Sequence, residues 1–210
     1  MDNFVITIAR GYGSGGRTIG KALAERLGVN CYDREILQMA SDESGINEAL
    51  FHKADEKVQP SLFKKKNVYT GELIPPEDSD FVSNENLFNY QAKIIEQKAR
   101  EESCVIIGRA ADFILRTYPN VVSINIQAPF DVCVAEIAER ESLSIKEAER
   151  KVSKIDKYRS DYYSYYTGRN WMDLTNYDIC LNSARIGWNQ CVQAIIEFTE
   201  FKLGRKITNE

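Results

Sequence analysis

Arg10-Gly11-Tyr12-Gly13-Ser14-Gly15-Gly16-Arg17-Thr18-Ile19-Gly20 is the stretch on which the fold turns. It follows a β-branched apolar run, residues 4–9, and leads into a helical pattern in which Ile19, Ala22, Leu23 and Leu27 share one face before Gly28. Glycines let backbone N–H groups approach and point at an anion, and a helix starting just behind them adds the positive end of its dipole. Strand, glycine loop and helix in that order predict an anion site at a strand end.

Two templates fit the loop. Gly11-x-Gly13-x-x-Gly16 satisfies the dinucleotide fingerprint, and Asp33 lies downstream where a ribose-binding acid belongs. Gly11-x-x-x-x-Gly16-Arg17-Thr18 satisfies the P-loop, with Arg17 in the lysine position. Arg17-Thr18 favours the P-loop, because a cation there meets β- and γ-phosphates and a hydroxyl ligates Mg2+, whereas a dinucleotide asks for neither. Arginine is planar and bulkier than lysine, which leaves the loop's shape and transfer rate open. A glycine-rich turn with no ligand is the bland alternative.

Further apolar runs at 104–108, 121–126 and 177–181, with a weaker one at 29–32, read as buried strands. Between them Pro129 suits the first turn of a helix reaching Glu141, and Ser144-Ile145-Lys146-Glu147 reads as a capping box. A last helix from about 187 to 203 carries Trp188, Cys191, Val192, Ile195 and Phe198 on one side, with Gly204 behind it. Strands alternating with helices predict an α/β fold, a parallel sheet with helices on both faces, in one domain over 1–210. Residues 53–85 break the rhythm and read as a mobile insertion, in which Lys64-Lys65-Lys66 is a solvated loop.

Composition narrows the function classes. With 27 Lys and Arg against 31 Asp and Glu, the net charge of −4 argues against holding a nucleic-acid polymer by bulk electrostatics. Five widely spaced cysteines without a CxxC pair read as small core residues in a reducing cytosol. No leader or membrane span is expected, so the chain is placed in the cytoplasm. A single histidine, His52, leaves little room for His-based metal cages or triads and reads as a surface residue.

Taken together, the loop at 11–18, Tyr32-Asp33-Arg34, Val105-Ile106-Ile107-Gly108-Arg109, Asp156-Lys157-Tyr158-Arg159 and Thr167-Gly168-Arg169-Asn170-Trp171 resemble the cytidylate kinase-like branch of the nucleoside-monophosphate kinases. Tyr177-Asp178-Ile179-Cys180-Leu181-Asn182-Ser183 completes the likeness, which spans most of the chain outside 53–85. The resemblance implies a P-loop NTPase fold: three αβα layers on a five-stranded parallel sheet, with a helical monophosphate-binding region at 53–85 and a lid at 144–172. It implies transfer of the γ-phosphoryl of ATP, with Mg2+, to a CMP-like monophosphate or a related small acceptor. By the same resemblance Gly11, Gly13, Ser14, Gly15, Gly16, Arg17 and Thr18 hold the ATP phosphates, Thr18 ligates Mg2+, Asp33, Arg34 and Arg109 border the acceptor, and lid arginines cover the transferring group. The chain departs from the cytidylate kinase pattern at Ile107 and Ala110, where aspartates stand in that family, and at Met39, where an arginine stands; Asp112 is displaced.

Phosphoryl transfer needs positioning and positive charge more than covalent help, and an acceptor phosphate is already an anionic nucleophile. Arg17, Arg109, Arg159 and Arg169 are the candidate catalytic cations. Arg109 follows the end of a buried strand, where open α/β sheets place ligands. Arg159 and Arg169 flank a tyrosine-rich turn and suit either phosphate or a structural ion pair. Lys146, Arg150, Lys151, Lys154 and Lys157 read as the solvated face of a helix, interleaved with acids. Asp33 is balanced between an acceptor role and an N-cap for a helix over 34–41. Trp171 and Trp188 read as core or lid packing, and Asp178 as an edge carboxylate or a base contact. A nucleotide-binding protein without transfer activity and a dinucleotide-dependent oxidoreductase remain the competing functions.

Overall fold

The computed structural model describes residues 3–56 and 69–208. In chain order the elements are β1 (Val5–Arg10), α1 (Gly16–Leu27), β2 (Asn30–Tyr32), α2 (Glu35–Ser44), α3 (Glu48–Glu56), α4 (Asn84–Glu101) and β3 (Cys104–Ile107). There follow α5 (Ala111–Ile114), β4 (Val121–Gln127), α6 (Phe130–Glu141), α7 (Ile145–Thr167), a 3-10 turn (Leu174–Asn176), β5 (Ile179–Asn182), α8 (Ser183–Ile186) and α9 (Trp188–Leu203).

The five strands form one parallel sheet in the order β2-β3-β1-β4-β5. β1 is central, pairing Ile8 with Ile107 on one side and with Ile124 on the other. A strand covered on both faces is a continuous apolar run, and the alternation of its side chains assigns each face. Ile6, Ile8, Val105, Ile107 and Ile124 face a core completed by Ile19, Leu23 and Leu27 of α1 and Cys191, Val192 and Ile195 of α9. Val5, Cys104, Ile106 and Val121 face the other core, with α2, α4, α5 and the end of α7. Each such fully buried aliphatic side chain contributes about 1.5–3 kcal/mol. Strand ends at 9–10, 107–108, 126–127 and 181–182 differ from the sequence reading by a residue or two.

Local stop and start signals act as their residue types dictate. Gly28 and Gly204 take left-handed conformations that close α1 and α9, and Ser144 and Glu147 form the capping box of α7. The expected mobile insertion is corrected at both of its described ends. Residues 53–56 complete α3. Beyond Tyr69, whose N–H donates to the Tyr166 carbonyl at 3.0 Å, the chain is fastened by the buried Asn86 side chain, which bonds Ile74 and Phe81. Lys64, Lys65 and Lys66 lie outside the described residues. Tyr162, Tyr163 and Tyr166, expected in a turn, lie within α7 and belong to the core: Phe88 of α4 stacks on Tyr166 with centroids 4.0 Å apart. Among the described residues no helix is long and apolar enough to cross a membrane.

Candidate active site

The C-terminal ends of β1, β2, β3 and β4 bring the glycine loop, Arg17, Asp33 and Arg109 to one edge of the sheet. The loop is held from several sides. Ser14 Oγ lies 2.9 Å from the Gly11 carbonyl and 3.0 Å from that of Ile126, and Ser183 Oγ donates to the Ser14 carbonyl at 2.6 Å. Gly13, at φ 88, presses on α6: a Cβ there would lie 2.6 Å from the Cys133 carbonyl oxygen. The Trp188 indole fills the space a Gly15 side chain would need.

α1 begins behind this loop with no side-chain cap and no acid in its first turn. Its first amides and dipole are therefore turned to a cradle shaped by glycines, which fits a phosphate group. Thr18, exposed in that first turn, offers the hydroxyl suited to Mg2+, an ion that usually completes its shell with substrate phosphates and water.

Asp33, 6% exposed, is the hub beside the loop. Its carboxylate pairs with Arg17 Nε at 2.7 Å and with Arg10 Nη2 at 3.8 Å, while its carbonyl accepts from Arg109 Nε at 3.0 Å. Arg109 Nη1 also donates to Gln91 Oε1 at 3.3 Å. α2 starts at Glu35 with Arg34 in the cap position and no side-chain cap, so Asp33 is not the N-cap that the sequence allowed. The Glu35 carboxylate instead accepts from the Asp33 N–H at 2.9 Å. Arg34 is exposed beside the hub.

The turn after β3 is strained. Gly108, Arg109 and Ala110 have consecutive φ values of 77°, 59° and 52°, a conformation costing roughly 1–2 kcal/mol for each non-glycine residue. Gly108 suits the first of these positions because its left-handed φ costs a glycine nothing, and the Arg10 guanidinium lies in the space beside it. Strain held by surrounding structure marks sites where a side chain must be aimed, and Arg109 is the side chain aimed here.

Arg159 joins the group from α7, donating to the Arg10 carbonyl at 2.9 Å and lying 3.5 Å from Asp156 Oδ1. Burial pushes the Asp156 carboxyl above its ordinary range. Arg169 stands apart, over the Phe113 ring at 5.1 Å and bonded to Asn176 at 3.4 Å. Beneath it, burial pushes Asp112 up to about 6, against the opposing hydrogen bond from Tyr163, whose hydroxyl donates at 2.6 Å. A cavity of about 330 Å³ bounded by Gln127, Phe130, Cys133, Asp156, Trp171 and Met172 opens between β4, α6 and α7.

The structure therefore brings Arg17, Asp33, Arg109 and Arg159 together and leaves Arg169 on a neighbouring turn. Sequence reading gave no site role to Arg10, whose only signal was a charge ending an apolar strand, or to Ser183, which stood only as the end of the last apolar run. Trp188 packs on the glycine loop with 38% of its surface exposed, a correction to core or lid packing, whereas Trp171 is buried as expected. His52 is a surface residue paired with Glu48 at 3.1 Å. Asp178 is an edge carboxylate bound to Ser123 and Lys202, at the opposite end of β5.

Comparison with known proteins gives the chain's family and fold. The profile of the cytidylate kinase-like family matches residues 5–185. Cytidylate kinase from Pyrococcus horikoshii is 25% identical over 185 residues, covering 88% of this chain and 82% of that protein. A crystal structure of an uncharacterized protein from Eubacterium ventriosum superposes with a TM-score of 0.69 at 26% identity, covering 94% of this chain and 99% of the other. Shikimate kinase from Bacteroides thetaiotaomicron, 16% identical with a TM-score of 0.52 and coverage of 94% and 98%, shares the fold.

Proposed function

The chain belongs to the cytidylate kinase-like family, and from that premise we propose that this phosphotransferase moves the γ-phosphoryl of ATP onto a nucleoside monophosphate, CMP-like, or a related small phosphorylated acceptor. One observation carries the reading: an uncapped helix N-terminus in a glycine cradle opens beside an arginine cluster gathered on Asp33. The dinucleotide alternative falls with the family match.

In this mechanism the amides of residues 11–18 orient the donor phosphates, and Arg109 and Arg34 orient the acceptor phosphate. An acceptor oxygen attacks the γ-phosphorus as the bond to the β–γ bridging oxygen breaks, and ADP leaves. The attacking oxygen is already anionic, so no general base is needed. Arg17, Arg109 and Arg159 stabilise charge on the transferring group, with Arg169 brought from its adjacent turn. Thr18 and the donor phosphates would hold Mg2+, which when bound neutralises charge on the phosphate oxygens. Residues 144–172 act as the lid and the 53–85 region contributes to the acceptor side, within one domain. We place the protein in the cytosol, in keeping with its five free thiols, and its net charge of −4 suits small nucleotides better than nucleic-acid polymers.

The Arg17–Asp33 pair favours a second reading, a nucleotide-binding protein without transfer, because it holds the loop cation away from the cradle. Incubation with Mg-ATP and a panel of monophosphates, read by mass spectrometry, separates the two. A phosphorylated acceptor supports the kinase; ATP binding with every acceptor unchanged supports the second reading; no ATP binding overturns both.

A further inference from the structure

Tyr12 stands second in the glycine loop, where holding phosphate calls for no large aromatic. Its ring turns away from the cradle into the hairpin formed by α6 and α7, packing against Cys133, Val134, Ile137, Ala148 and Val152. The hairpin grips it at both ends. Its backbone N–H donates to Asp156 Oδ1 at 2.8 Å, and its hydroxyl donates to Glu141 Oε1 at 2.5 Å. Glu141 is itself held by Lys151, and these bonds pull its carboxyl down to about 2. The guanidinium groups of Arg140 and Arg159 lie 5.4 and 5.5 Å from the ring centroid.

Beside it, Gly13 lies against the Cys133 backbone of α6, and Arg159 reaches back to the Arg10 carbonyl at the loop's entrance. Separating loop from hairpin would break two hydrogen bonds to carboxylates, uncover the aromatic ring and strip Asp156 of its amide partner. Hydrogen bonds to charged groups are among the stronger ones, and a half-buried carboxylate left without them is costly. Loop and hairpin are thus bound by contacts that neither makes elsewhere.

We infer that Tyr12 is a positioning residue that couples the glycine loop to the α6–α7 hairpin, so that occupation of the loop by a triphosphate rigidifies the hairpin that carries Arg159. The inference rests on the loop being a triphosphate site. A rigid loop would then order the hairpin before any acceptor arrives, with Arg159 already set toward the donor. Because binding and ordering are linked, loosening the hairpin from the loop must weaken triphosphate binding by the same factor.

The test uses the full chain, Mg-ATP as the ligand, calorimetry for affinity and hydrogen exchange for order. In the wild type, Mg-ATP slows amide exchange both at 11–27 and across 130–167. In Tyr12→Ala, affinity falls at least about tenfold and the added protection is confined to 11–27. Tyr12→Phe keeps the ring and the Asp156 bond, and binds Mg-ATP more tightly than Tyr12→Ala, short of the wild type by the part-buried hydroxyl bond to Glu141 alone. Wild-type protein in which Mg-ATP protects 11–27 and leaves 130–167 unchanged overturns the coupling, with no variant needed. So does Tyr12→Ala protein that keeps both affinity and hairpin protection. Wild-type protein that binds no Mg-ATP overturns the triphosphate reading itself, and the coupling with it.

Discussion

Gly13→Ala, set beside Gly28→Ala, separates what the glycine loop needs for its shape from what any left-handed glycine needs. Both residues have positive φ, 88° at Gly13 and 65° at Gly28. At Gly28 a Cβ would meet nothing within 4 Å, so only the conformational penalty applies, about 1–2 kcal/mol. At Gly13 the same penalty is joined by contacts of 2.6 Å to the Cys133 carbonyl oxygen and 2.9 Å to its Cα. These are backbone atoms in the first turn of α6, where Cys133 N–H bonds the Pro129 carbonyl at 3.0 Å. They cannot swing aside as a side chain would, and overpacking of this kind adds about 1–3 kcal/mol. Gly13→Ala should therefore cost about 2–5 kcal/mol in urea unfolding, against about 1–2 for Gly28→Ala. Calorimetric titration with Mg-ATP should show weakened binding for Gly13→Ala alone, because the relief of the clash moves the loop. Equal destabilisation by the two substitutions, or wild-type ATP affinity in Gly13→Ala, would refute the claim that α6 moulds the loop.

Three more outcomes follow from the contacts. Asp33→Asn releases Arg17 from its 2.7 Å partner, so Mg-ATP should bind more tightly, while Arg17→Ala should bind more weakly; calorimetry that finds both weaker denies that Asp33 and phosphate compete for this cation. Ser183→Ala strips the Ser14 carbonyl of its 2.6 Å donor and should cost about 1–3 kcal/mol, read from the urea midpoint, with a parallel loss of ATP affinity. Asp112 keeps its proton longer in the folded chain than in the unfolded one, with a pKa of about 6 against 3.8. Its raised pKa makes stability fall as pH rises from about 4 to about 6, a loss of about 3 kcal/mol that Asp112→Asn should abolish. Parallel pH profiles of the unfolding midpoint for the two proteins would contradict the burial of that carboxyl.

What was legible in the sequence is what neighbouring residues decide among themselves. Apolar runs declared the strands to within a residue or two, since the central strands β1, β3 and β4 are covered on both faces, while the edge strands β2 and β5 proved only partly buried. Gly28, Ser144 and Glu147 end or begin helices through bonds to their own nearest turns. The strand, glycine turn and helix over residues 5–27 were readable for the same reason, although Ser183, Trp188 and α6, which hold the turn in shape, were not.

The site beyond the loop depends on which strand lies beside which. Residues 10, 17, 33 and 109 meet because β3 is inserted between β2 and β1, and nothing in their spacing announces it. The tyrosines of α7 read in the sequence as a turn; packing against Phe88 of α4 makes them core. Tyr12, Ser183 and Trp188 acquire their roles the same way, through surfaces that exist only once distant elements have docked. The sequence by itself determined the alternation, the glycine turn and the family; the tertiary structure alone decided where the charges converge, because charge acts through space and the chain's order does not record distance.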